Sequence, residues 1–116
     1  MASQLSRDLS LMFDALASAG SRATLFIQSD SAPTATVTAA TLNGTTVVIS
    51  EDGKIATAVF SAGTNVLIMT VEGVNAGDDV QLVEDCGATT SVLKKKFVGA
   101  APGGADPVVS FRIHAT

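Results

Sequence analysis

A chain of 116 residues is one domain's worth of polypeptide, long enough to bury roughly two-thirds of the surface its unfolded form exposes and so to build a core without staples. Hydrophobic residues make up 47% and charged residues 16%, but much of the apolar share is Ala and Val, with five Phe and neither Trp nor Tyr. That composition suits a tightly layered core of small pieces and excludes a deep aromatic pocket. The formal net charge of −4 argues against a nucleic-acid partner, because phosphate binding needs clustered Lys and Arg.

From the start, Leu5, Leu9, Met12 and Leu16 recur at steps of four, three and four, with Phe13 beside them. The spacing predicts an amphipathic helix over residues 3–19, with Ser3 or Ser6 as its cap and Gly20 as its left-handed stop. The domain organisation that follows is a helical segment over residues 1–20 and a β domain over residues 21–116. Such a stripe must be covered, either by its own domain or by stripes from other copies, so these five residues are the expected interface. A signal peptide is disfavoured, since Asp14 interrupts the apolar stretch before Ala17-Ser18-Ala19 and Asp8 cancels Arg7. The expected site of synthesis is the cytoplasm, with a virion or cell surface as final location.

After Arg22 the period changes to alternation rich in Thr, Val and Ala. Residues 24–28 form a first strand, and Ser29 to Pro33 a turn-rich break. Residues 34–42 and 45–50 follow, joined by Asn43-Gly44, the pair best suited to a two-residue hairpin because both tolerate positive φ. A tight turn at residues 51–54 leads into residues 55–60, and these three strands read as a meander. The unbroken run Val66-Leu67-Ile68-Met69 predicts a central strand over residues 65–71 covered on both faces. It is far shorter than the roughly 20 apolar residues a membrane span needs.

Residues 79–84 and 89–98 are further strands, the latter carrying Lys94, Lys95 and Lys96, which suit an exposed sheet edge. A Gly/Ala/Pro loop over residues 99–107 lacks the ending of a phosphate loop. The last run alternates, with Val109, Phe111 and Ile113 inward and Ser110, Arg112 and His114 outward. About eight short strands at this spacing predict a mainly β fold, an antiparallel sandwich with one N-terminal helix.

Residues 64–73 (TNVLIMTVEG) followed by residues 75–82 (NAGDDVQL) resemble the late strands of immunoglobulin-like modules in bacterial surface proteins and phage virions. The resemblance spans residues 34–115 and rests on strand spacing and glycine placement. It implies an immunoglobulin-like sandwich of about seven to eight strands, without the Cys-Trp-Cys core of antibody domains, and carries no residue role over.

Candidate chemistry is sparse. His114 is the single imidazole, near the end of the chain and beside Arg112, and nothing in the sequence orients it against a nucleophile. Cys86 follows Glu84 and Asp85, whose charges oppose thiolate formation. One His and one Cys fall short of a structural zinc set. Asp78, Asp79, Glu84 and Asp85 flank one strand and carry the oxygens a calcium ion wants, but without EF-hand spacing. No catalytic, cofactor or metal residue is therefore assigned. The expected role is a non-enzymatic assembly component, present in several copies on a larger particle such as a phage virion and meeting protein partners or itself. The alternative is a carbohydrate- or ligand-binding module, aided by calcium at the acidic turn; a ring-stacking lectin is disfavoured by the lack of Trp and Tyr.

Overall fold

The computed structural model describes residues 12–75, 77–86, 90–96 and 107–116. Nine strands occur among them and no helix: β1 (Met12–Asp14), β2 (Arg22–Gln28), β3 (Thr36–Leu42), β4 (Thr45–Thr46), β5 (Ile55–Val59), β6 (Gly63–Glu72), β7 (Asp79–Asp85), β8 (Thr90–Lys96) and β9 (Val108–Ala115). They form two sheets, one in the order β1-β9-β6-β3-β4 and the other β5-β2-β7-β8. All pairings are antiparallel except β1 with β9, which run parallel.

Period-two alternation decides which side chains meet between the sheets. Leu25 and Ile27 of β2, Val80 and Leu82 of β7, Leu67, Met69 and Val71 of β6, and Val109, Phe111 and Ile113 of β9 join one buried cluster. In β3 the register shifts between Val37 and Ala39. This bulge turns both Thr38 and Ala39 outward and then restores the phase, so that Ala40 and Leu42 return to the core.

Among the described residues two polar side chains, Asn65 and Glu84, are buried, and both are hydrogen-bonded. The Oδ1 atom of Asn65 accepts from Ser61 N and Asn43 Nδ2, while its Nδ2 donates to the carbonyls of Ser61, Gly63 and Ile113. The carboxylate of Glu84 accepts from Leu16 N at 2.7 Å and Ala17 N at 2.9 Å. Among the described residues no buried side-chain nitrogen or oxygen lacks a partner, as a dry core requires.

Several expectations hold. The Asn43-Gly44 hairpin has φ of 53° and 82° at its two central residues, the left-handed pair a tight two-residue turn demands. Strand β9 alternates as expected. Strand β8 lies at the outer margin of its sheet among the described strands, which places Lys94 to Lys96 on an edge.

Others are corrected. The expected helix over residues 3–19 is not helical where it is described: residues 12–14 pair with β9, and residues 15–19 form bends and turns. Its residues 3–11, Leu5 and Leu9 included, lie outside the described residues. The cause is tertiary. Ala15 N donates to His114 O and Ala19 N to Thr116 O, and with the Glu84 bonds they fix a backbone that helical i to i−4 bonding would contradict. The sandwich is accordingly not wholly antiparallel. The three-strand meander also fails, because β4 is only two residues long and β5 pairs with β2 in the other sheet. Ser50 turns the chain there, its N–H donating to the Lys54 carbonyl and its hydroxyl bonding Asp52 and Lys54.

Strand β6 is central, between β3 and β9, but is not covered on both faces. Asn65, Leu67, Met69 and Val71 are buried, whereas Thr64, Ile68 and Glu72 are exposed and Val66 and Thr70 half-buried.

Candidate interaction surface

The outward positions of the larger sheet form one face. Register lines them up in rows across the strands: Ala39 with Thr70 and Val108; Thr46 with Thr41, Ile68 and Ser110; Val66 with Arg112; Thr64 with His114 and Asp14. The middle of this face is uncharged and built from Thr, Ala, Val and Ile, the residues that pleated strands accommodate best. Ile68 is 42% exposed and Val108 56%, so two large apolar side chains stand on the same open sheet. A shallow depression of about 170 Å³ lies between them and β4, lined by Ala39, Ala40, Thr41, Thr46, Ile68 and Thr70. Charge sits at the two ends of the strands, Arg112 and Asp14 towards one and Glu72 towards the other.

His114 occupies the last of these rows. Its Nδ1 lies 3.4 Å from Asp14 Oδ1, and the two side chains are 41% and 91% exposed. Thr64 is its partner across β6, so a carboxylate, an imidazole and a hydroxyl stand side by side on three strands. This is the nearest approach to a nucleophile, base and orienting acid among the described residues. It lies on an open face with the carboxylate in solvent, without the low-dielectric enclosure that gives such a row its catalytic strength.

A second polar group lies at one end of the sheets, between the loop after β2 and the start of β7. Ser31 Oγ donates to Asp79 Oδ1 at 2.8 Å and accepts from Asp79 N at 3.0 Å. The backbone N–H groups of Ser31 and Asp30 also donate to this carboxylate. The hydroxyl and N–H of Ser31, followed by the N–H of Asp30, hold the Asp79 carboxyl far below the usual carboxylate range.

The acidic residues considered for calcium are not brought together. Glu84 points into the core, Asp79 binds Ser31, and Asp78 accepts from Asn75 N at 2.6 Å. Among the described residues no group of three His, Cys, Asp or Glu side chains could hold a metal ion. Cys86 lies 3.5 Å from Glu84 Oε2. Burial first, then the charge of Glu84 and its hydrogen bond, then Asp85, push the thiol up, the direction its acidic neighbours suggest.

Of the expected interface residues, Met12 and Phe13 lie in β1, where the backbone pairs with Arg112 and Ile113, and Leu16 is 42% exposed just beyond it. The structure therefore places them at the margin of the larger sheet and not on a helical stripe. Sequence reasoning missed the outward Val66 and Ile68, although the unbroken run from Val66 to Met69 was their signal. It also gave Glu84 no structural task, since its partners are backbone groups 67 and 68 residues away. Comparison with protein-family models, curated proteins and solved structures finds no match to this chain.

Proposed function

We propose that this chain is a non-catalytic assembly module, an immunoglobulin-like β-sandwich that acts in several copies on a larger particle such as a phage virion. The observation that carries the reading is the outward face of β3, β6 and β9, where Val66 and Ile68 stand on a central strand and the charges are kept to the ends. A central strand with apolar residues on both faces suits a sheet that is covered on both sides, and an open apolar patch rimmed by polar groups marks an interaction site. The immunoglobulin-like assignment draws support from the adjacency of β3, β6 and β9, which parallels the C, F and G strands of that fold. The β7–β8 hairpin between β6 and β9 is this chain's own variation. The virion or bacterial-surface setting comes from the resemblance of residues 64–82.

Passive assembly needs no acid, base or nucleophile; it needs shape-matched surface. Light scattering on the full chain over a wide concentration range tests the reading, which expects mass to rise with concentration. A strictly monomeric chain that instead binds glycans on an array, with melting temperature rising in their presence, would replace it with the carbohydrate-binding alternative. The polar end around Asp30, Ser31, Asp79 and Gln81 is where such a ligand would meet the protein.

A further inference from the structure

We infer that the outward face of the larger sheet is a self-complementary dimer surface whose occupant is the same face of a second copy; this rests on the assembly reading and names its surface. Three features of the face fix the choice of occupant. Its middle is uncharged, with Ile68 and Val108 standing above the threonines and alanines of the neighbouring rows. Its charges lie at the two ends, with Arg112 in the row of Val66, Asp14 beside His114 on the marginal strand one row beyond it, and Glu72 six residues further along β6, a separation of roughly 20 Å along the strand between Arg112 and Glu72. Between them lie only Thr, Ile, Val, Ala and Ser on β3, β6 and β9.

A two-fold axis lying in the interface and crossing the strands between Ile68 and Thr70 reverses one copy over the other. That operation carries the Arg112 end of each face onto the Glu72 end of its partner and stacks the apolar rows on each other, as an isologous contact requires. The alternative axis, parallel to the strands, would set Arg112 against Arg112 and Glu72 against Glu72. Two flat sheet faces pack this way at a layer spacing of about 10 Å, with strands nearly aligned. The footprint spans four strands at about 4.8 Å spacing over roughly 20 Å of length. It therefore belongs to the small class of interfaces, and the dimer is a concentration-dependent one.

Sedimentation equilibrium on the full chain tests the surface. The native chain is expected to show a reversible monomer–dimer equilibrium. Ile68→Lys, at an exposed position and so with little effect on the melting temperature, weakens it by at least about thirty-fold, because it buries a charge at the centre of the patch. R112E and E72R each weaken dimerisation by roughly three- to ten-fold, and the R112E/E72R double variant recovers most of the loss, since each charge meets its opposite again across the axis. Association that persists unchanged in Ile68→Lys overturns this surface while leaving the assembly reading in place. A double variant no better than the singles overturns the two-fold arrangement, and a native chain that stays monomeric at every concentration removes the surface together with the assembly reading.

Discussion

Glu84 stands on the inward side of β7 because the alternation that buries Val80 and Leu82 continues to it. A carboxylate in that position survives only if its oxygens are bonded, and the backbone N–H groups of Leu16 and Ala17 supply the bonds. In return, the segment after β1 is held over the margin of the core, where Ala17 is buried. Glu84→Ala removes two charge-assisted acceptors and leaves two N–H groups without them, at an expected cost of about 2–4 kcal/mol in urea unfolding. A loss within about 0.5 kcal/mol, the range of ordinary surface substitutions, would show that the segment is not held there.

Asp79 acts in the opposite setting, at the surface. Its folded carboxyl titrates below its unfolded value because the Ser31 and Asp30 donors favour the charged form. Its contribution is therefore complete above the unfolded pKa near about 4 and is lost as pH falls towards the folded value. Asp79→Asn removes this linkage, so the acid limb of a stability-against-pH curve, measured from about pH 5 down to about pH 2 by urea midpoints, becomes shallower than in the native chain. An unchanged slope contradicts the Ser31–Asp79 pairing.

Among the elements, the strands were legible where alternation and turn chemistry agreed. β9 reads directly from Val109, Phe111 and Ile113, and the β3–β4 hairpin from Asn43-Gly44. Residues 12–19 were not legible, because Leu5, Leu9, Met12 and Leu16 fall at helical spacing by local count while the bonds that set residues 12–19 come from β9, Thr116 and Glu84. Amide hydrogen exchange separates the two accounts. Ala15, Leu16 and Ala17 are expected to be protected in the native chain and to lose that protection in Glu84→Ala, with the β9 amides unaffected; a helix would keep Leu16 and Ala17 protected without the Glu84 carboxylate.

At the other margin, β8 closes the smaller sheet among the described strands and carries Lys94, Lys95 and Lys96. Lysines on an edge oppose pairing with other sheets. Replacing all three with Thr keeps strand propensity while removing the charge, and is expected to lower the temperature at which heated solutions begin to scatter. An unchanged onset would mean that the edge is protected by other means.

For the whole molecule, the two sheets differ in what their outer sides offer. The smaller sheet sets Phe26 outward with Lys54 Nζ 4.7 Å from its ring centroid, a contact that covers the apolar ring with a cation and its alkyl stem. The larger sheet leaves Ile68 and Val108 standing among Thr and Ala. Composition foretold a core rich in Ala and Val, and the run Val66 to Met69 foretold a central strand. Neither could reveal that one side of that strand lies open, because sheet order depends on the crossover that takes β5 away from β4 and pairs it with β2. Of the interface residues expected on a helix, Met12, Phe13 and Leu16 are at the margin of this same sheet.

The open face of β3, β6 and β9 is the surface proposed to meet a partner. Amide chemical shifts recorded over a dilution series test it most directly, because each residue reports for itself. The expected result is a concentration-dependent shift at Ala39, Thr41, Val66, Ile68, Ser110 and Arg112, with β2, β5 and β7 silent. Shifts that gather instead around Asp30, Ser31 and Asp79, with β3, β6 and β9 unmoved, would contradict it.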